Sequence, residues 1–248
     1  MLTDVKVGNF LAIYLHSSEI IRNFADENKT QKEMKDKEKE LEQRAEEHLD
    51  NLIDLLKSIE MNKVTVLTGG NGKGKSLIRK LMYLIVQQKM NLSDKKAQHC
   101  VRAVSMQGRT ESRPEWGAFS SALHDWPTTP TSVSTFNLMD NLLQHIEKCY
   151  LVFDEIEIGM SEEFQLAVCN YINSKLPEIR EKSYGALVIT HSRLVCRCIE
   201  HDNFINIDGM TEDEWLNRNV RPLDIEATKA FSDALYRVVE KRNKNNKD

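Results

Sequence analysis

The sequence predicts an α/β protein with a mainly parallel sheet flanked by helices, and three observations carry that prediction. Short runs of apolar and β-branched residues alternate with segments whose apolar residues recur every three or four positions. Those runs are apolar almost throughout, as strands covered on both faces by helices must be. The first run ends in a cluster of glycines that opens directly into a helical pattern, and a later run ends in two adjacent acids.

The 248 residues read as a single domain, with a charged helical arm over 15–60, a core over 63–208 and a C-terminal helical region and tail over 211–248. Charges of both signs crowd the stretch from Asp26 to Glu47, and Leu41, Ala45, Leu49, Leu52, Leu56 and Ile59 recur at helical steps. This is a long helix, solvated at first and then laying one stripe on the core or on a partner helix. Lys63 to Thr68 is the first strand, and Leu77, Ile78, Leu81, Met82, Leu84 and Ile85 mark the helix that follows the glycines. Further strands are expected at His99 to Met106, Cys149 to Phe153, Ala186 to Thr190 and Asn203 to Ile207. Helices are expected at Ser134 to Glu147, Ser161 to Leu176, Ser192 to Glu200 and Asp224 to Lys241. The span from Gln107 to Pro130, with Trp116, Trp126 and three prolines, is the least regular, and Lys241 to Asp248 is a fraying polar tail.

Composition excludes more than it selects. A hydrophobic share of 40% and a charged share of 29% are those of an ordinary globular chain. The net charge of −4 is not the electrostatic footprint of a nucleic-acid binder, so nucleic acid would have to meet a local basic patch. Five scattered cysteines suit reduced, packed thiols, and the Cys196-x-Cys198 pair has no second pair to complete a zinc site. The apolar stretch from Phe10 to Leu15 is too short to span a membrane and lacks the flanks of a signal peptide, so the expected location is cytoplasmic, with no membrane partner.

Gly69-Gly70-Asn71-Gly72-Lys73-Gly74-Lys75-Ser76 satisfies G-x-x-x-x-G-K-[ST], the phosphate-binding P-loop pattern, between a strand and a helix where the chemistry needs it. The four glycines let the backbone wrap phosphates and aim N–H groups at their oxygens, and the helix opening at Lys75 to Leu77 adds its positive end. Lys75 neutralises the β and γ phosphates, and Ser76 offers its hydroxyl to Mg²⁺. Gly69 through Leu77 are therefore the expected ATP-binding residues.

The strand Cys149 to Phe153 delivers Asp154 and Glu155 at its C-terminal end, the edge where ligands bind in such sheets. Asp154 is the expected Mg²⁺ holder. Glu155 is the expected base that orients or deprotonates the water attacking the γ phosphate. The strand ending at Thr190 is followed by His191, placed at the same edge to sense that phosphate.

Together these elements resemble the ATP-binding-cassette ATPases, and more narrowly their soluble branch containing the RecF, SMC and OLD proteins. Asp154-Glu155-Ile156-Glu157-Ile158-Gly159-Met160-Ser161-Glu162-Glu163-Phe164-Gln165 is similar to that branch's D-E-P-E-x-G-L-H-P-x-x-Q segment, and Val188-Ile189-Thr190-His191-Ser192 is similar to its strand ending in T-H-S. Ile156 stands where the branch has proline, and Met160-Ser161-Glu162 where it has L-H-P. The resemblance assigns Gln107 to the Q-loop glutamine, a γ-phosphate and metal contact. It leaves Thr131 to Thr135, ahead of a helix, as the stand-in for the signature turn, with Ser134 presenting a hydroxyl to phosphate. Adenine stacking is left to Phe10 or Tyr14.

That resemblance implies a head-to-tail homodimer or higher oligomer that closes on ATP and reopens on hydrolysis. It also implies an ATP-gated switch with a separate effector protein, in DNA repair or maintenance or in phage defence. An ATP-binding assembly module with little turnover, docked through the charged helix, is the alternative. A P-loop kinase is disfavoured by the Asp-Glu pair and His191.

Overall fold

The computed structural model describes residues 34–93, 96, 100–105 and 131–245, apart from the side chains of residues 76, 80, 131, 243 and 245. Five strands, β1 (Val64–Thr68), β2 (Val101–Ser105), β3 (Tyr150–Asp154), β4 (Gly185–Ile189) and β5 (Asn203–Asn206), form one sheet in the order β2-β3-β4-β1-β5. Every pairing is parallel, so all five C-terminal ends lie along one edge. The helices among the described residues are α1 (34–57), α2 (Lys75–Lys89), α3 (Thr131–Leu143), α4 (Glu162–Lys182), α5 (Arg193–Cys198), α6 (Glu212–Asn217) and α7 (Ile225–Asn245).

Alternate residues of the central strands feed two cores, as the period of two along a strand requires. Val64 and Val66 of β1, Leu151 and Phe153 of β3, and Ala186 and Val188 of β4 are buried with α3, α4 and α5. Leu67, Tyr150, Val152, Leu187 and Ile189 are buried on the other face with α2 and with Leu52, Leu56 and Ile59. The helix after β1 and the helix after β4 thus leave adjacent strands towards opposite faces, which opens a crevice at the strand ends where ligands bind.

The structure differs from the sequence expectations in four places. α3 begins at Thr131, so Ser134 lies inside its first turn and is not a residue ahead of the helix. The cause is burial: Thr135 is 1% exposed and extends the stripe of Met139, Leu142 and Ile146 back through the hydroxyl-rich segment. α4 runs on through Pro177 to Lys182, because Leu176 and Ile179 flank that proline and both are buried. α6 is a short additional helix, started by a reciprocal capping box between Thr211 and Glu214 and pinned by the buried Trp215. β2 covers only part of the expected stretch, with residue 100 helical.

The chain divides into two compact units, Leu49–Ser232, which holds the sheet, and Met1–His48 with Asp233–Asp248. In the second, Arg237 pairs with Glu38 at 3.6 Å and Glu42 at 3.4 Å, Lys241 pairs with Glu42 at 2.6 Å, and Ala45, Ala234, Leu235 and Val238 are buried. No helix among the described residues is long and apolar enough to cross a membrane.

Candidate nucleotide-binding site

Sequence order becomes site geometry through the sheet order. β4 lies between β1 and β3, so the glycine loop after β1 and the acids after β3 are separated by one strand, about 10 Å at normal strand spacing. His191, two residues beyond the end of β4, enters that gap. The structure brings Lys75, Asp154, Glu155 and His191 together at this edge.

The loop between β1 and α2 turns through Gly72 at φ 73° and Gly74 at φ 83°, left-handed conformations that only glycine adopts without strain. Gly74 is the N-cap of α2, and no side chain caps the helix there. The first N–H groups of a helix have no carbonyl within it, so such an end suits an anion. Lys75 is 6% exposed, and its ammonium donates to the carbonyls of Gly69 at 3.1 Å and Gly70 at 2.8 Å. Burial lowers its pKa to about 8, against the upward pull of Glu155, Asp208, Asp154 and Glu157. Leu77 donates its N–H to the Gly74 carbonyl at 2.8 Å and buries its side chain.

Asp154 is the last residue of β3. Burial, then the neighbouring charges of Glu155 and Glu157, push its carboxyl up to about 6, while Arg79 and Lys75 act the other way. Glu155 follows in a left-handed conformation, φ 51°, which costs a non-glycine residue of order 1–3 kcal/mol and persists only where the surroundings enforce it. Its N–H donates to the Ile189 carbonyl at 2.9 Å, and its Oε1 meets His191 Nε2 at 2.9 Å. The hydrogen bond from His191 is the main reason its pKa lies below the usual carboxylate value; burial opposes it and the charges of His191 and Lys75 assist.

Four further residues belong to this edge. Arg79, one turn beyond Lys75 on α2, donates to Ser105 Oγ at 2.5 Å and lowers the Asp154 pKa. Asp208, past the end of β5, accepts the Gly70 N–H at 2.7 Å and lies 3.9 Å from Lys73. Glu157 is 9% exposed and accepts from Thr190 Oγ1. Phe231 of α7 carries the Lys73 ammonium 5.1 Å from its ring centroid. The helical i, i+4 spacing from Lys75 could have nominated Arg79. Asp208 and Phe231 meet the loop from distant chain positions with no local signal.

Of the remaining predicted residues, Gln107, Phe10 and Tyr14 lie outside the described residues, as does the Ser76 side chain, although Ser76 stands in the first turn of α2. Ser134 is half-buried within α3. The described residues hold no group of three His, Cys, Asp or Glu side chains placed to hold a metal ion, so a cation would rest on Asp154, where it would relieve the charge of Glu155 and Glu157 that helps raise the Asp154 pKa.

No family model matches this chain, and no curated protein does. Among solved structures, PCH-2 of C. elegans is similar with a TM-score of 0.31 and 13% identity, over 66% of this chain and 41% of that one. The chain thus spans less than half the length of that protein. Taken by itself, the five-stranded parallel sheet with a glycine-rich loop from β1 into α2 is the α/β architecture of P-loop nucleotide-binding proteins.

Proposed function

We propose that this chain binds and hydrolyses ATP at the edge formed by the Gly69–Ser76 loop, Asp154, Glu155 and His191. The observation that carries the reading is the 2.9 Å contact between Glu155 and His191, held one strand away from the buried Lys75. On this reading the loop N–H groups and Lys75 hold the β and γ phosphates, with the ammonium exchanging the Gly69 and Gly70 carbonyls for phosphate oxygens. Asp154 and Ser76 hold Mg²⁺, which when bound neutralises charge on the phosphate oxygens. Glu155 takes the proton of a water as that water bonds to the γ phosphorus, the bond to the β-phosphate oxygen breaks, and ADP and phosphate leave. His191 fixes the carboxylate and donates to the γ phosphate.

The resemblance to the soluble cassette branch supports a finer reading. The site is half of an active centre, completed head to tail by a second copy through the segment around Ser134, and ATP gates that closure for a separate effector acting in nucleic-acid maintenance or phage defence. Hydrolysis rates and sizing with Mg-ATP test both levels. Wild type turns over, Lys75→Ala neither binds nor hydrolyses, and Glu155→Gln accumulates as an ATP-bound dimer. Turnover unchanged in Lys75→Ala overturns the site, and a Glu155→Gln protein that stays monomeric with ATP overturns the gating.

A further inference from the structure

Glu157 lies between the strained Glu155 and Gly159, the latter at φ 78°, and its side chain turns back into the protein. One oxygen, Oε1, accepts three hydrogen bonds from the chain just past β4: from Thr190 Oγ1 at 2.7 Å, from the His191 N–H at 2.9 Å and from the Ser192 N–H at 3.3 Å. Its Oε2 is buried with no hydrogen-bond partner among the described residues. The same two segments are joined again by Gln165, which accepts from Ser192 Oγ at 2.8 Å and donates to the Met160 carbonyl at 3.2 Å.

We propose that Glu157 is a positioning residue for the hydrolytic pair: its Oε1 gathers Thr190, His191 and Ser192 and so holds the His191 ring against Glu155. This rests on the proposed ATP hydrolysis. Two features separate it from plain structural capping. First, Glu157 fastens the backbone of His191 itself, whose ring makes the 2.9 Å contact to Glu155. Second, Glu155 sits in a left-handed conformation that relaxes unless both sides of the turn are tied, and the ties are its own N–H to Ile189 and the Glu157 anchor two residues on. An ionised acceptor suits three convergent donors better than a neutral one, yet an amide oxygen in the same place still accepts them.

The test is the steady-state kinetics of Mg-ATP hydrolysis in wild type, Glu157→Ala, Glu157→Gln and Thr190→Val. Misplacing a catalytic pair by about 1 Å costs about 100-fold. Glu157→Ala therefore lowers kcat about 100-fold with KM within about threefold of wild type, Glu157→Gln stays within about tenfold of wild type, and Thr190→Val loses severalfold. Wild-type kcat in Glu157→Ala overturns the proposal, as does an equal loss in the Ala and Gln variants, which assigns the effect to charge. If Glu157→Ala fails to fold, unchanged kcat in Thr190→Val overturns it instead.

Histidine ring ¹⁵N spectra read the His191 contact without turnover. The His191 signals move in Glu157→Ala or Thr190→Val and return in Glu157→Gln, and signals that stay in place overturn the positioning role. A wild type no faster than Lys75→Ala defeats the proposed hydrolysis while leaving that spectral result to stand by itself.

Discussion

Replacing Asp154 with asparagine should stabilise the nucleotide-free protein while destroying its response to Mg-ATP. The Asp154 pKa is raised from 3.8 to about 6, first by burial and then by Glu155 and Glu157. Its folded form therefore holds a proton more tightly than the unfolded chain does, and ionising it above pH 6 is a cost to the fold. A little over two units at about 1.4 kcal/mol each sets a ceiling of about 3 kcal/mol. Solvent reaches part of this carboxyl, so about 1–2 kcal/mol is the working figure. For a chain of this size that is a rise in melting temperature of about 2–8 °C at pH 7.5. The gain has a pH window: it is full above about pH 6, fades as pH falls from 6 through 3.8, and is gone below 3.8, where wild-type Asp154 is neutral in both states. Thermal unfolding followed by circular dichroism, without nucleotide or metal, measures it. Adding Mg-ATP should reverse the order, because wild type gains binding energy that the variant lacks. An Asp154→Asn protein that melts at or below wild type at pH 7.5 without ligand would refute the picture of a carboxylate kept strained for a cation.

Two further outcomes follow from the loop. Lys75 has a pKa of about 8, so the cationic form that phosphate needs prevails below that pH and is lost above it. ATP affinity measured by calorimetry should fall between pH 7 and pH 9, and a flat profile would contradict the assignment. Gly72→Ala combines a φ of 73° with an added Cβ that would lie 2.8 Å from Thr228 Cγ2. It should destabilise the protein by more than about 1 kcal/mol and weaken ATP binding at least tenfold, read by chemical unfolding and by titration.

Much of this organisation was legible in the residues because the signals are local. Apolar runs ending in Gly69, Asp154 and His191 announce buried parallel strands whose ends share an edge, and the sheet places those three ends on β1, β3 and β4. What local signals missed is set by packing. Ser134 reads as a residue ahead of a helix until Thr135 is seen buried, and Pro177 reads as a stop until Ile179 is seen buried beyond it. Asp208 and Glu157 act through contacts with Gly70 and with the 190–192 segment, made across 138 and about 34 chain positions, respectively, and no spacing rule reaches that far.

The central claim, that the glycine loop and Glu155 form a hydrolytic site, is tested most directly by a single turnover. Excess protein is mixed with ATP labelled in the γ phosphate, with Mg²⁺, and labelled phosphate is counted over time for wild type and Glu155→Gln. The account predicts that wild type converts the bound ATP to ADP and phosphate while Glu155→Gln retains it intact. Equal rates of phosphate release in the two proteins, or no release from wild type that binds ATP, would contradict it.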